Sequence, residues 1–188
     1  MLAWPPRLPE QPIFYPVLNF EYAAQIARDW NTKSNFFVGY VTEFEVEDSY
    51  ISRFERQIVG GSRHEELWIP AEQLDEFNQH IVGHISVTGA YFGPQFRGFI
   101  PDGFLLEGKD ASTQFIMLAK LYTQDPEDFR SELKANHLAI FLNYPFWLHH
   151  DFSGEGISIS ERDDVLKAIH ILWADEFSPI TLPTLSRT

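Results

Sequence analysis

Glu66 is the residue in this chain whose type and setting best suit chemistry. It opens the apolar run Leu67-Trp68-Ile69 and follows a Gly60-Gly61-Ser62 turn. A carboxylate at a strand end beside a cleft can bind a ribose hydroxyl, or stabilise a developing cation by placing negative charge near it. The plain alternative is an edge glutamate facing water. His149-His150-Asp151 is a second candidate, because an aspartate can orient one imidazole as a general base. Adjacent histidines in an extended segment point opposite ways, so at most one of them joins any single site. No Gly-x-Ser-x-Gly nucleophile motif accompanies them, and a hydrogen-bonding role is the competing reading. Glu76, His80 and His84 stand at i, i+4 and i+8, as metal ligands on one helix face would. Gly83 is expected to end that helix before His84, so no metal site is assigned. Neither a P-loop nor a Gly-x-Gly-x-x-Gly fingerprint is present, and without cysteine there is no thiolate zinc site and no disulfide framework.

The elements that must position these residues follow from periodicity and punctuation. Residues 4–16 hold five prolines and read as an extended lead-in, with a short strand at residues 12–15. Asn19 caps a helix to about Trp30, with Tyr22, Ile26 and Trp30 on one face. Residues 38–46 alternate apolar and polar, the mark of a half-buried strand. Residues 48–55 suggest a helical turn, and residues 57–59, 66–69 and 84–87 further strands. Pro70 suits the first turn of a helix to about Ile81. In the second half, Asp110 or Ser112 caps a helix to about Tyr122, and Pro126 opens another to about Ala135. The apolar run at residues 138–142 reads as a buried strand. Ser160 and Asp163 resemble a capping box for a helix carrying Val165, Ile169, Leu172, Trp173 and Glu176 on one stripe. The tail from Ser178 reads as an irregular cover. Acidic clusters at residues 125–132 and 161–164 fall at helix starts, where the macrodipole favours them.

These elements make an α+β fold: a small mixed sheet with packed helices, plus a second α+β lobe. The expected division is residues 1–92 and 93–188, as two lobes or one continuous domain. Hydrophobic residues are 44% of the 188-residue chain, enough for a real core. The net charge of −13 tells against nucleic acid, which attracts basic faces, and suits a basic protein partner. No stretch is apolar enough to span a membrane, and Met1-Leu2-Ala3-Trp4 lacks a secretory pattern, so a cytoplasmic location is expected.

Several strings in the first 90 residues carry a resemblance. They are residues 5–19 (Pro-Pro-Arg-Leu-Pro-Glu-Gln-Pro-Ile-Phe-Tyr-Pro-Val-Leu-Asn), Ala24-Gln25-Ile26-Ala27-Arg28-Asp29-Trp30, Gly39-Tyr40-Val41-Thr42 and Glu66-Leu67-Trp68-Ile69-Pro70-Ala71-Glu72, with Phe77-Asn78 and His80-Ile81-Val82-Gly83 beyond. Together they resemble a family of small bacterial proteins labelled "ADP-ribosylation/crystallin J1". The order of elements is also similar to ADP-ribosyltransferase-like folds. The resemblance implies NAD as cofactor, Glu66 and Tyr15 as catalytic residues and Arg7 as the nearest residue for holding the dinucleotide. Family members usually carry an extra strand, with its basic residue, ahead of the proline-rich segment. Its absence here fits a truncated or degenerate member, or a family that never used this chemistry. The competing expectation is a non-catalytic acidic interaction protein, of the immunity or antitoxin type, that binds a basic partner.

Overall fold

Asn19 does what its position requires: its side-chain oxygen accepts from the Tyr22 N–H at 2.8 Å and starts the first helix. In a computed structural model that describes residues 2–34, 36–61, 63–178 and 180–183, the chain is α+β. The first half runs β1 (Ile13–Phe14), α1 (Phe20–Asp29), β2 (Val38–Val46), α2 (Asp48–Ile51), β3 (Arg56–Ile58), β4 (Glu65–Leu67), β5 (Ile69–Pro70), α3 (Leu74–Gln79) and β6 (Ile81–Phe92). The second half adds α4 (Ala111–Gln124), α5 (Pro126–Ala135), α6 (His137–His149) and α7 (Ile159–Phe177). No helix among the described residues is long and apolar enough to cross a membrane.

The strands form three antiparallel pairs, β1 with β5, β2 with β6 and β3 with β4, rather than the expected mixed sheet. The longest pairing joins β2 to the twelve-residue β6, with bulges after Val41 and after Glu43. Gly83, expected to stop a helix, instead lies inside β6 with φ at +75°, a left-handed conformation that suits glycine. Helix α3 is correspondingly shorter than expected, and Pro70 ends a strand instead of opening the helix.

Helix α1 lies on β2 through Ala24, Ala27 and Val41. A Cβ on Gly39 would stand 2.2 Å from the Ala27 carbonyl oxygen, so backbone meets backbone there. A second core gathers Phe14, Tyr50, Leu67, Ile69, Leu74 and Phe77 between the short strands and α3. The largest core belongs to the helical half, where Phe115, Leu118, Ile140, Trp147 and Ile169 are fully buried.

The strand expected at residues 138–142 is the start of α6, and among the described residues the second half contains no strand. A short apolar run does not separate a buried strand from a helix that is apolar on all sides, and α6 is the second kind, with Ala139, Ile140, Tyr144 and Trp147 buried. The capping box exists two residues earlier than expected: Ser158 Oγ accepts from the Glu161 N–H, and the Glu161 carboxylate accepts from the Ser158 N–H. The predicted stripe of α7 is largely buried, and its one polar member, Glu176, pairs with Arg130 and Lys134 of α5. In the tail, Leu182 is buried and Trp173 donates to the Ile180 carbonyl, while Pro179 and residues 184–188 lie outside the described residues.

The halves meet through aromatic side chains and polar ties. Phe146 of α6 packs on Phe92 and Phe96, Phe36 on Phe99, and the Tyr40 hydroxyl donates to the Leu142 carbonyl. The loop at residues 97–110 is fastened by buried amides. Asn143 accepts from the Phe99 N–H and donates to the Phe99 carbonyl, and Gln114 donates to the carbonyls of Phe99 and Lys109.

Two substitutions test this account. Gly39→Ala is expected to cost at least about 1–3 kcal/mol, read as a fall in thermal midpoint, because the new methyl meets fixed backbone. Asp110→Ala removes the cap of α4 and is expected to cost about 1 kcal/mol in urea unfolding at neutral pH. Hydrogen bonds from Thr113 first, then nearby Arg97, hold the Asp110 carboxyl below its usual range. A depressed pKa contributes stability above the unfolded value, about 4, and loses it as pH falls through the folded one. The difference between wild type and Asp110→Ala therefore narrows on acidification.

Candidate functional site

Strand β4 carries Glu66 and has neighbours on both edges. On one side Gln57 of β3 stands opposite Glu66. On the other, Val17 bridges to Glu66, flanked by the Leu18 N–H donating to the Glu65 carbonyl and the Leu67 N–H to the Pro16 carbonyl. With the β1–β5 pair continuing the same register, residues 13–18, 56–58 and 65–70 act as one three-stranded unit with residues 65–70 central.

Alternation then sorts the side chains. Phe14, Leu67 and Ile69 turn inward to Phe77. Tyr15, Glu66 and Trp68 take the opposite face. Trp68 Nε1 donates to Glu66 Oε1 at 2.7 Å, and the rings of Tyr15 and Trp68 meet edge to face at 5.9 Å. The two aromatics are about half exposed, 46% and 47%, whereas Glu66 is only 8% exposed. The buried Tyr22 stacks on His64 with centroids 4.2 Å apart. Burial, and then the negative charge of Glu66, raise the Tyr22 phenol above its ordinary value. Asn19 ties this corner together, since its amide nitrogen donates to the Arg63 carbonyl at 2.7 Å while its oxygen caps α1.

Of the three residues singled out by sequence, Tyr15 and Glu66 share this face and Arg7 does not join them. The Arg7 guanidinium lies 6.0 Å from the centre of the Phe14 ring, on the inward side of the strand, with its Nε buried and unpartnered among the described residues. Sequence reasoning missed Trp68 as the partner of Glu66. The available signal was spacing: in a strand, residues i and i+2 share a face.

The other candidates are dispersed. Glu76 forms a forked pair with Arg53, which holds its carboxyl below the usual range. His80 Nδ1 meets Glu47 at 2.8 Å and stacks on Tyr50, and His84 stands exposed on β6. Among the described residues no group of three histidines or carboxylates is placed to hold a metal ion. His149 ends α6 and His150 stacks on Phe146. Asp151 orients neither histidine: it accepts from the Ser153 N–H, a bond that holds its carboxyl low.

A cavity of about 380 Å³ opens on the inward side of the three-stranded unit. Residues 16–20 border it on one side and residues 41–44 of β2 on the other, with Leu67 and Phe77 also lining it. Glu66 and Tyr15 do not contribute to its lining. No family model, no curated protein and no solved structure matches the chain.

The Glu66–Trp68 bond is directly testable. Trp68→Phe removes the indole N–H from a buried carboxylate and is expected to cost about 1–3 kcal/mol in urea unfolding. Replacing both partners, with Glu66→Leu and Trp68→Phe together, is expected to recover part of that loss, because neither polar group then remains buried alone.

Proposed function

We propose that this chain is a non-catalytic, acidic binding protein of the immunity or antitoxin type, which engages a basic protein partner in the cytoplasm. The observation that carries this reading is the state of Glu66. The residue is 8% exposed, its single hydrogen bond among the described residues comes from a neutral indole on one carboxylate oxygen, and no described cation pairs with it. A carboxylate that receives one neutral donor keeps capacity for a charged one, which a lysine or arginine of the partner would supply. The half-exposed rings of Trp68 and Tyr15 supply what a lysine or arginine side chain stacks on beside a carboxylate. The net charge of −13 steers a basic protein toward this surface at long range.

A second reading is the ADP-ribosyltransferase-like module. It is favoured by one observation, that Tyr15 and Glu66 share a face of one small sheet. In that chemistry the glutamate would hold a nicotinamide-ribose hydroxyl of NAD and oppose the developing oxocarbenium charge. Arg7, turned to Phe14, is poorly sited to hold the dinucleotide there. This is why the binding reading stands first.

The test is affinity capture at low salt, followed by direct titration of the recovered, purified partner. A basic protein is expected, bound at roughly 50 mM salt and at least about tenfold more weakly at roughly 500 mM. Glu66→Gln and Trp68→Ala are each expected to weaken it about tenfold or more. Equal binding by both variants would overturn the assignment to Glu66. Calorimetric titration with NAD separates the alternatives: saturable binding that Glu66→Gln abolishes would replace this reading with the transferase-like one.

A further inference from the structure

The cavity beside β2 differs from an ordinary packing fault in how its walls are made. A strand that lines a cavity with side chains contributes alternate residues, because successive side chains point to opposite faces. Here residues 16–20 and 41–44 contribute consecutively, so both segments present their edges. The hydrogen-bond pattern agrees. The bonds from Leu18 N–H to Glu65 and from Leu67 N–H to Pro16 flank the Val17–Glu66 pair, which makes it a non-hydrogen-bonded pair of the antiparallel kind. The N–H and C=O of Val17 therefore point away from β4, on the cavity side, and neither has a partner among the described residues. Strand β2 uses one edge for β6 and pairs with no other strand among the described residues.

Two strand edges thus face each other across a space that holds no strand. Its walls and floor are mainly apolar, with Leu67 and Phe77 below, while the exposed Glu43 stands on its border. A volume of about 380 Å³ falls within the range of sites that hold a ligand. From this geometry we propose that the gap is a docking slot for an extended segment of the basic partner. One apolar side chain of that segment enters toward Leu67 and Phe77, and a neighbouring lysine or arginine meets Glu43. Backbone pairing to Val17 supplies affinity in the manner of strand addition, and the alternation of apolar and basic side chains supplies specificity. The occupant is inferred from charge complementarity, since Glu43 borders the slot of a chain with net charge −13. This inference rests on the binding reading above and adds where, and in what conformation, the partner is held.

The probe is an acetylated, amidated peptide of alternating lysine and valine, five residues long, titrated into the full chain by calorimetry. Saturable binding is expected, weakened at least about tenfold when the valine nitrogens are methylated, and absent when glutamate replaces lysine. Ala23 also lines the cavity, so Ala23→Phe is expected to abolish peptide binding by filling it, with circular dichroism unchanged. Should that variant fail to fold, Glu43→Lys at the exposed border is expected to weaken the peptide about tenfold or more. Absence of peptide binding, or binding indifferent to backbone methylation and to the cavity substitution, would overturn the slot. The recovered basic partner distinguishes the two levels. Loss with Glu66→Gln but not with Ala23→Phe or Glu43→Lys removes the slot and keeps the binding reading; failure to recover a basic partner removes the binding reading itself.

Discussion

The contact between Gly39 and Ala27 is the constraint on which the first half of the molecule depends. At that point the backbone of α1 sits against the backbone of β2 with no room for a methyl group between them. The approach fixes α1 on the β2–β6 ladder, and with it the helix start at Asn19. Asn19 carries the placement outward, because one end of its amide caps α1 and the other holds the Arg63 carbonyl just before β4. The position of Glu66 is therefore coupled through one asparagine to a helix, and through that helix to the longest strand pair. The gap between residues 16–20 and β2 has the same origin. The chain leaves the three-stranded unit at Leu18 and enters the helix at once, so its edge is held near β2 without pairing to it.

The helical half acts as a buttress, and its polar groups are arranged for that task. Gln114 and Asn143 are fully buried and hydrogen-bonded to each other and to the loop at residues 97–110, while Trp147 Nε1 donates to the Ala111 carbonyl. Groups buried this deeply stabilise a fold only when their hydrogen bonds are met, and these are met by one another, by the first turn of α4 and by loop backbone that has no regular structure of its own. The loop is thereby fixed to α4 and α6, and Phe92, Phe96 and Phe99 lead from the strands onto that platform.

Much of this was legible in local chemistry. Asn19, Asp110 and Pro126 start helices where their side chains predict, and the alternation of residues 38–46 marks β2, because caps and periodicity act over a few residues. Residues 138–142 read as a strand because a run in which every residue is apolar, the exposed Leu138 included, carries no period. The placement of Glu66 in a strand was readable, but its burial was not. That burial comes from Val17 on one edge and Gln57 on the other, and pairing across distant sequence leaves no local mark. The cavity was illegible for the same reason, since its two walls lie more than twenty residues apart in the chain.

A comparison of two buried glutamates gives the binding reading its physical footing. Glu132 is 4% exposed and Glu66 is 8% exposed, so both residues are largely buried. Glu132 receives the Leu105 N–H on one oxygen and the Asn136 amide on the other, both from the chain itself, and it fastens a loop. Glu66 receives one indole N–H on one oxygen, and among the described residues its other oxygen accepts no hydrogen bond. A carboxylate whose second oxygen is unpaired retains capacity for a charged donor, and such bonds are about twice as strong as neutral ones. Trp68 and Tyr15 beside Glu66 keep about half their surface in solvent and offer aromatic faces there. Burial alone therefore does not mark a site. What separates these two residues is that the first has its hydrogen bonds completed from within, and the second is left open beside aromatic surface on which a cation can rest.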